Sequence, residues 1–164
     1  MAFMGLADKH VIEAEMPWSG RDVPATLWAQ LSQTADRFPD HRAISYQIFS
    51  GPGDRAETLT WGRLRDRVAQ AANLFRSLGV GETDVVAYVL PNCNETVITL
   101  LGGAVAGIAN PINPLLEPEQ IAAILRETHA KVVVTAIPKV SRLTPMASCM
   151  PTSTAHRVEM KSIG

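Results

Sequence analysis

The chain has 164 residues, of which 46% are hydrophobic and 19% charged, the balance of a soluble globular protein with enough apolar side chains for a buried core. A formal net charge of -1 and a pI near 6.4 give no electrostatic ground for a nucleic acid or an anionic membrane surface as partner. The two cysteines, Cys93 and Cys149, lie far apart without CxxC spacing, which suggests neither a disulfide framework nor a zinc knuckle and fits a reducing cytoplasm.

Residues 1–25 read as an N-terminal extension. Its first sixteen residues mix Asp8, Lys9, His10, Glu13 and Glu15 with isolated apolar side chains, without the basic start and apolar stretch of a signal peptide. Thr26 to Phe38 then places Leu27, Leu31, Ala35 and Phe38 on one helical stripe, predicting a short amphipathic helix stopped by Pro39. Ala43 to Phe49 alternates Ile44, Tyr46 and Ile48 with polar residues, and Glu57 to Trp61 again favours extended structure. With Gly51-Pro52-Gly53-Asp54 between them, a hairpin is expected.

Thr60 can cap a second helix, whose apolar positions Leu64, Val68, Ala71, Ala72, Phe75 and Leu78 keep the 3.6-residue period. Gly79 supplies the residue that ends it. The nearly continuous apolar run from Asp84 to Leu90 predicts a strand buried on both faces, as in a parallel sheet. Asn94 is the expected cap of the next helix, carrying Val97, Ile98, Leu101, Val105 and Ile108, with Gly103 and Gly107 allowing close backbone approach. An extended piece follows around Ala109 to Pro114. Pro118 suits the first turn of another helix with Ile121, Ile124, Leu125 and Thr128 inward, and Lys131 to Ala136 predicts one more strand. Alternation of strand and helix implies an α/β fold, with parallel strands, right-handed helical crossovers and a preceding β-hairpin.

The uncharged stretch from Thr96 to Leu116 is broken by Asn110, Pro111, Asn113 and Pro114, so it is too short on its apolar side to span a bilayer. Residues 139–164 lose all periodicity, with Pro145, Pro151 and many Ser and Thr. This tail reads as irregular: either a linker or a reading frame that departs near Lys139.

Several local patterns have a structural explanation. Gly79-Val80-Gly81 follows a helix and has Asp84 where a dinucleotide loop needs its third glycine, and Gly102-Gly103 with Gly107 lacks the Lys of a phosphate loop. Cys93 precedes a helix start, which can lower a thiol pKa, but His10, His41, His129 and His156 lie in other segments without a motif linking them to it. Arg63, Arg65, Arg67 and Arg76 read as a solvated helix face. Pro91-Asn92 and Asn110-Pro111 sit at strand ends, where open α/β sheets bind ligands, and are the positions expected to line a pocket.

Three ordered pieces carry a family resemblance. Leu59-Thr60-Trp61-Gly62-Arg63-Leu64, the strand running into Leu90-Pro91-Asn92, and Ala106-Gly107-Ile108-Ala109-Asn110-Pro111-Ile112-Asn113-Pro114 resemble early elements of the adenylate-forming superfamily, in particular AMP-forming acyl-CoA synthetases. The resemblance covers about residues 26–138 and implies a partial N-terminal α/β domain. It implies, for the full-length parent, an acid–thiol ligase that uses ATP, magnesium and CoA to activate a fatty or other carboxylic acid through an acyl-adenylate. The family's Ser/Thr/Gly-rich phosphate loop with its lysine, its T-E pair and its ribose-binding aspartate have no counterpart here. No catalytic, cofactor-binding or metal-ligating residue is therefore assigned to this chain, and the chain alone is expected to be inactive. The alternative is an interaction module that associates with itself or a partner through exposed apolar faces.

Overall fold

The computed structural model describes residues 5–16, 20–47, 51, 53, 55–135 and 156–159. Helix α1 (Leu6–Glu15) buries none of its residues. Helix α2 (Leu27–Arg37) starts at Thr26, whose hydroxyl accepts from the Ala29 N–H at 3.1 Å. Only Leu31 and Ala35 of its expected stripe are buried; Leu27 and Phe38 are 42% and 37% exposed.

The hairpin is present. Strand β1 (Arg42–Tyr46) runs antiparallel to β2 (Glu57–Thr60) with a register shift between Arg42 and Ile44. Ile48 and half of the expected turn, Pro52 and Asp54, lie outside the described residues. Trp61, expected as extended, instead opens helix α3 (Trp61–Ser77), with Thr60 capping the Arg63 N–H. Helix α3 buries Leu64, Val68, Ala72 and Phe75 and ends at Gly79, whose φ of 84° is the left-handed conformation that a Cβ disfavours.

Strand β3 (Val85–Val89), helix α4 (Asn94–Ala106), strand β4 (Ile108–Pro111), helix α5 (Pro118–Glu127) and strand β5 (Val132–Thr135) follow. The sheet order is β4-β3-β5-β6, where β6 is His156–Glu159, and all the pairings are parallel. β3, made first, is thus central. On one face Val86, Tyr88, Val132 and Val134 meet Ala72, Phe75 and Ala106; on the other, Ala87 and Val89 meet Ile121 and Leu125. Burial on both faces is why β3 and β5 read as continuous apolar runs. A third cluster joins Leu31, Leu64 and Val68 to the hairpin's Ile44 and Leu59.

Three expectations change. The first residue of α4 is Asn94, not its cap; Cys93 holds the cap position without a side-chain capping bond, and the Asn94 side chain is buried and bonded to the hairpin. Ile108 belongs to β4, not to α4, and is 48% exposed: the chain leaves the helix at Gly107, and the Ile108 N–H bonds Asp84 O at 2.9 Å. The tail expected to be irregular contains β6, parallel to β5; its remaining residues lie outside the described ones.

The small residues fix how closely layers approach. A Cβ on Gly102 would stand 2.7 Å from the Ala71 Cβ of α3, and one on Gly107 2.5 Å from Asp84 O and 2.6 Å from Gly81 O. The expected close approach at Gly103 and Gly107 is met, at Val86 and Ala109 for the first and at the turn before β3 for the second.

Candidate functional site

The four strands of the parallel sheet point their C-terminal ends the same way, and the connection from β3 goes outward to β4 while that from β4 passes back across β3 to β5. The crevice where neighbouring connections diverge, at the ends of β3 and β5, is where open α/β sheets hold ligands. In this chain the strand ends there are followed by Leu90 to Cys93 after β3 and Ile112 to Leu116 after β4, and Thr135 closes β5.

The turn after β3 is tied by its own side chains. The Thr96 hydroxyl donates to Pro91 O, and it lies 3.2 Å from Cys93 Sγ. Asn94, 3% exposed, donates from Nδ2 to Glu57 O of β2 at 3.2 Å, so it fastens the start of α4 to the hairpin. This contact bridges 37 residues, which is why spacing alone assigns Asn94 a local capping role. After β4, Asn113 Oδ1 accepts the Leu115 N–H at 2.9 Å, and Gln120 Oε1 accepts the Glu117 N–H at 3.0 Å at the start of α5. Leu115 stands on this turn 87% exposed.

Of the two expected lining pairs, Pro91 and Asn92 are exposed just past the end of β3. Asn110 and Pro111 are the last two residues of β4, at a strand end as expected, but the Asn110 Nδ2 is turned to the hydroxyl of Thr128, just past α5, 3.4 Å away. Cys93 is half-buried beside Thr96, with no histidine among its contacts. His10, His41 and His129 are exposed, and His156 has no described side chain.

The arginines of α3 divide. Arg63 and Arg67 are exposed, as a solvated face predicts. Arg65 instead reaches Asp36 of α2 at 2.7 Å, and Arg76 donates to Val105 O in the last turn of α4 at 3.0 Å, so these two clip helices together.

The charged cluster lies at the opposite end of the sheet. Asp84 Oδ2 accepts from Lys131 Nζ and from the Gly81 N–H, both at 2.7 Å. The bond to Lys131 and then that to Gly81 hold the Asp84 carboxyl below its ordinary range. Burial pushes the pKa of the Tyr88 hydroxyl up. Among the described residues no three His, Cys, Asp or Glu side chains are grouped to hold a metal ion. At the ligand end Glu95 occupies the first turn of α4, where its carboxylate already meets the helix's partial positive charge. The described groups there can line and orient; they supply no cation for a phosphate.

Residues 31–162 match the family model described as AMP-binding enzyme. The chain belongs to that family. It is 33% identical over 149 residues to the marinolic acid–CoA ligase of a Pseudoalteromonas species, covering 90% of this chain and 23% of that protein. It is 30% identical over 135 residues to the long-chain-fatty-acid–CoA ligase of Bacillus subtilis, covering 76% and 23%. The fold resembles a Mycobacterium tuberculosis fatty acyl CoA synthetase, with a TM-score of 0.65 at 22% identity over 82% of this chain and 26% of the other. It also resembles the acyl-CoA synthetase of Brucella canis, with a TM-score of 0.62 at 25% identity over 82% and 24%. The chain therefore spans about a quarter of the length of the curated relatives it matches. The resemblance carried by Leu59 to Leu64, Leu90 to Asn92 and Ala106 to Pro114 is that of an acyl-CoA synthetase's N-terminal part, and the family match reaches past it through most of residues 139–164. No helix among the described residues is long and apolar enough to cross a membrane.

Proposed function

We propose that these 164 residues are the scaffold portion of an AMP-forming acyl-CoA ligase that activates a carboxylic acid, a fatty or other apolar acid foremost, with ATP and magnesium and transfers the acyl group to CoA. The observation that carries the reading is the alignment of nine-tenths of the chain with a CoA ligase at 33% identity. The crevice at the ends of β3 and β5 supports it as a wall of the ligand site. Asn94 acts as a positioning residue there, setting the β3–α4 turn against the hairpin.

In this reading the chain alone performs neither half-reaction. Adenylation builds charge on the α-phosphate, and stabilising it takes a lysine or a metal ion at the site, while the crevice's described groups are neutral or acidic. The test is ATP–pyrophosphate exchange with a series of fatty acids, run on the purified chain and on a Bacillus subtilis ligase whose matching quarter has been replaced by it. Exchange by the chimera and none by the chain is expected. Exchange by the purified chain that survives repurification would overturn the scaffold reading.

A second reading, association through an exposed apolar surface, is favoured by Leu115, which stands almost fully in solvent on a turn fixed by Asn113. Sedimentation across a wide concentration range tests it: a mass that rises in the native chain and stays monomeric in Leu115→Ser supports it, and a monomer throughout removes it.

A further inference from the structure

Away from the strand ends, a cleft of about 450 Å³ opens between the start of α2 and the last turns of α3 and α4. Helix α4 begins at the ligand end of the sheet and finishes at the other, so Ala104 and Val105 in its last turn place this cleft at the end opposite the crevice. Its volume is that of a small-molecule site. Leu27, Trp28, Ala69 and Ala104 form apolar walls, and Asn73 and Arg76 contribute the polar groups. Leu27 and Trp28 are 42% and 36% exposed, large apolar surfaces left uncovered where the sequence pattern predicts Leu27 inward.

The charge at this cleft has one sign. Arg76 commits one Nη2 bond to Val105 O, while a guanidinium carries five N–H donors and never loses its charge in proteins. No carboxylate stands among the lining residues. An apolar trough with a fixed cation and an amide beside it is complementary to a molecule with an apolar body and an anionic head. We propose that the cleft is a binding site for an amphipathic carboxylate, a medium-length alkyl chain lying against Leu27, Trp28, Ala69 and Ala104 with its carboxylate on Arg76. This site is separate from the crevice and does not rest on the ligase reading.

The probe is octanoate, titrated into the isotopically labelled full chain at neutral pH and followed by amide and indole NMR resonances, with octan-1-ol and octylammonium as the neutral and cationic matches. Saturable shifts at Leu27, Trp28, Asn73 and Ala104 are expected for octanoate, with octan-1-ol weaker by about tenfold, the factor a charge-assisted bond at a partly solvated site supplies. Arg76→Gln should bring octanoate down to the level of octan-1-ol. Because that change also removes the bond to Val105, a second variant, Ala104→Trp, fills the cleft from an exposed position and should abolish binding of both with an unchanged circular dichroism spectrum. Octylammonium binding as tightly as octanoate, shifts confined to the crevice around Pro91 and Asn92, indifference to both variants, or no saturable shift below octanoate self-association would each overturn the assignment.

Discussion

The contact between Gly102 and Ala71 offers a test of how tightly α3 and α4 are meshed. In Gly102→Ala the new Cβ would stand 2.7 Å from the Ala71 Cβ, against about 3.5–4.0 Å for carbon atoms in contact, so the helices must part by about 1 Å. Overpacking of this kind costs about 1–3 kcal/mol. Alanine's better helix propensity returns about 1 kcal/mol, leaving a net loss of about 1 kcal/mol. Ala71→Gly alone loses about 1 kcal/mol by the same propensity. In the double variant the methyl simply moves from one helix to the other, the propensity terms cancel, and stability returns close to the native value. The remaining neighbours of the new Cβ, Ala72 N at 3.3 Å and Val68 O at 3.4 Å, need give only a few tenths of an ångström. The coupling is therefore about 2 kcal/mol. Urea unfolding followed by far-UV circular dichroism measures it, with the midpoints compared at constant slope. Additivity of the two single changes to within about 0.5 kcal/mol would refute the meshing argument.

Gly107→Ala meets backbone in place of a methyl, and it strains the bond from the Ile108 N–H to Asp84 O. Overpacking together with one weakened hydrogen bond predicts a loss of about 2–4 kcal/mol by urea unfolding, and no side-chain truncation should rescue it. Since the folded carboxyl of Asp84 titrates below its ordinary range, its contribution to stability is present above the ordinary carboxylate pKa and is lost as pH falls through the lower, folded value. Asp84→Asn should accordingly flatten the acid limb of the stability profile, measured as urea midpoints from pH 5 to pH 2, while leaving its neutral-to-alkaline shape alone. Asn94→Ala removes a buried donor from Glu57 O and should cost about 1–3 kcal/mol, with faster hydrogen exchange in β2 as the readout that separates it from a purely local loss of helix α4.

The elements whose signals are local were legible in the sequence. Helix α3 is bracketed by Thr60 and Gly79, each performing its task within a turn or two of its own position, and β3 and β5 announce themselves by burial on both faces. Longer-range features left no such mark. The pairing of Asp84 with Lys131 spans 47 residues, and the role of Asn94 depends on a hairpin that precedes it by two elements. Nothing local distinguishes the outward Leu27 from the inward Leu31, since both fall on one stripe and only the covering element decides. Pro91-Asn92 and Asn110-Pro111 were both legible as strand ends; the partner of the Asn110 amide was not, because it is the hydroxyl of Thr128, 18 residues on. The fold class and the family resemblance came from ordered local motifs. The reading of all four α3 arginines as a solvated face missed the clips made by Arg65 and Arg76, because a charged side chain's partner across two helices is set by packing.

The parity of β4 decides what its outer side can do. Ile108 and Ile112 both turn their N–H groups toward the central strand, to Asp84 O and Tyr88 O, so in the strand between them every second residue faces the same way and Ala109 and Pro111 face out. Proline has no N–H to offer. A foreign strand laid along this rim would find one donor missing at the end nearest the crevice, which discourages templated growth of the sheet there and leaves a lone leucine, not a ribbon of amides, as the adhesive point on that side.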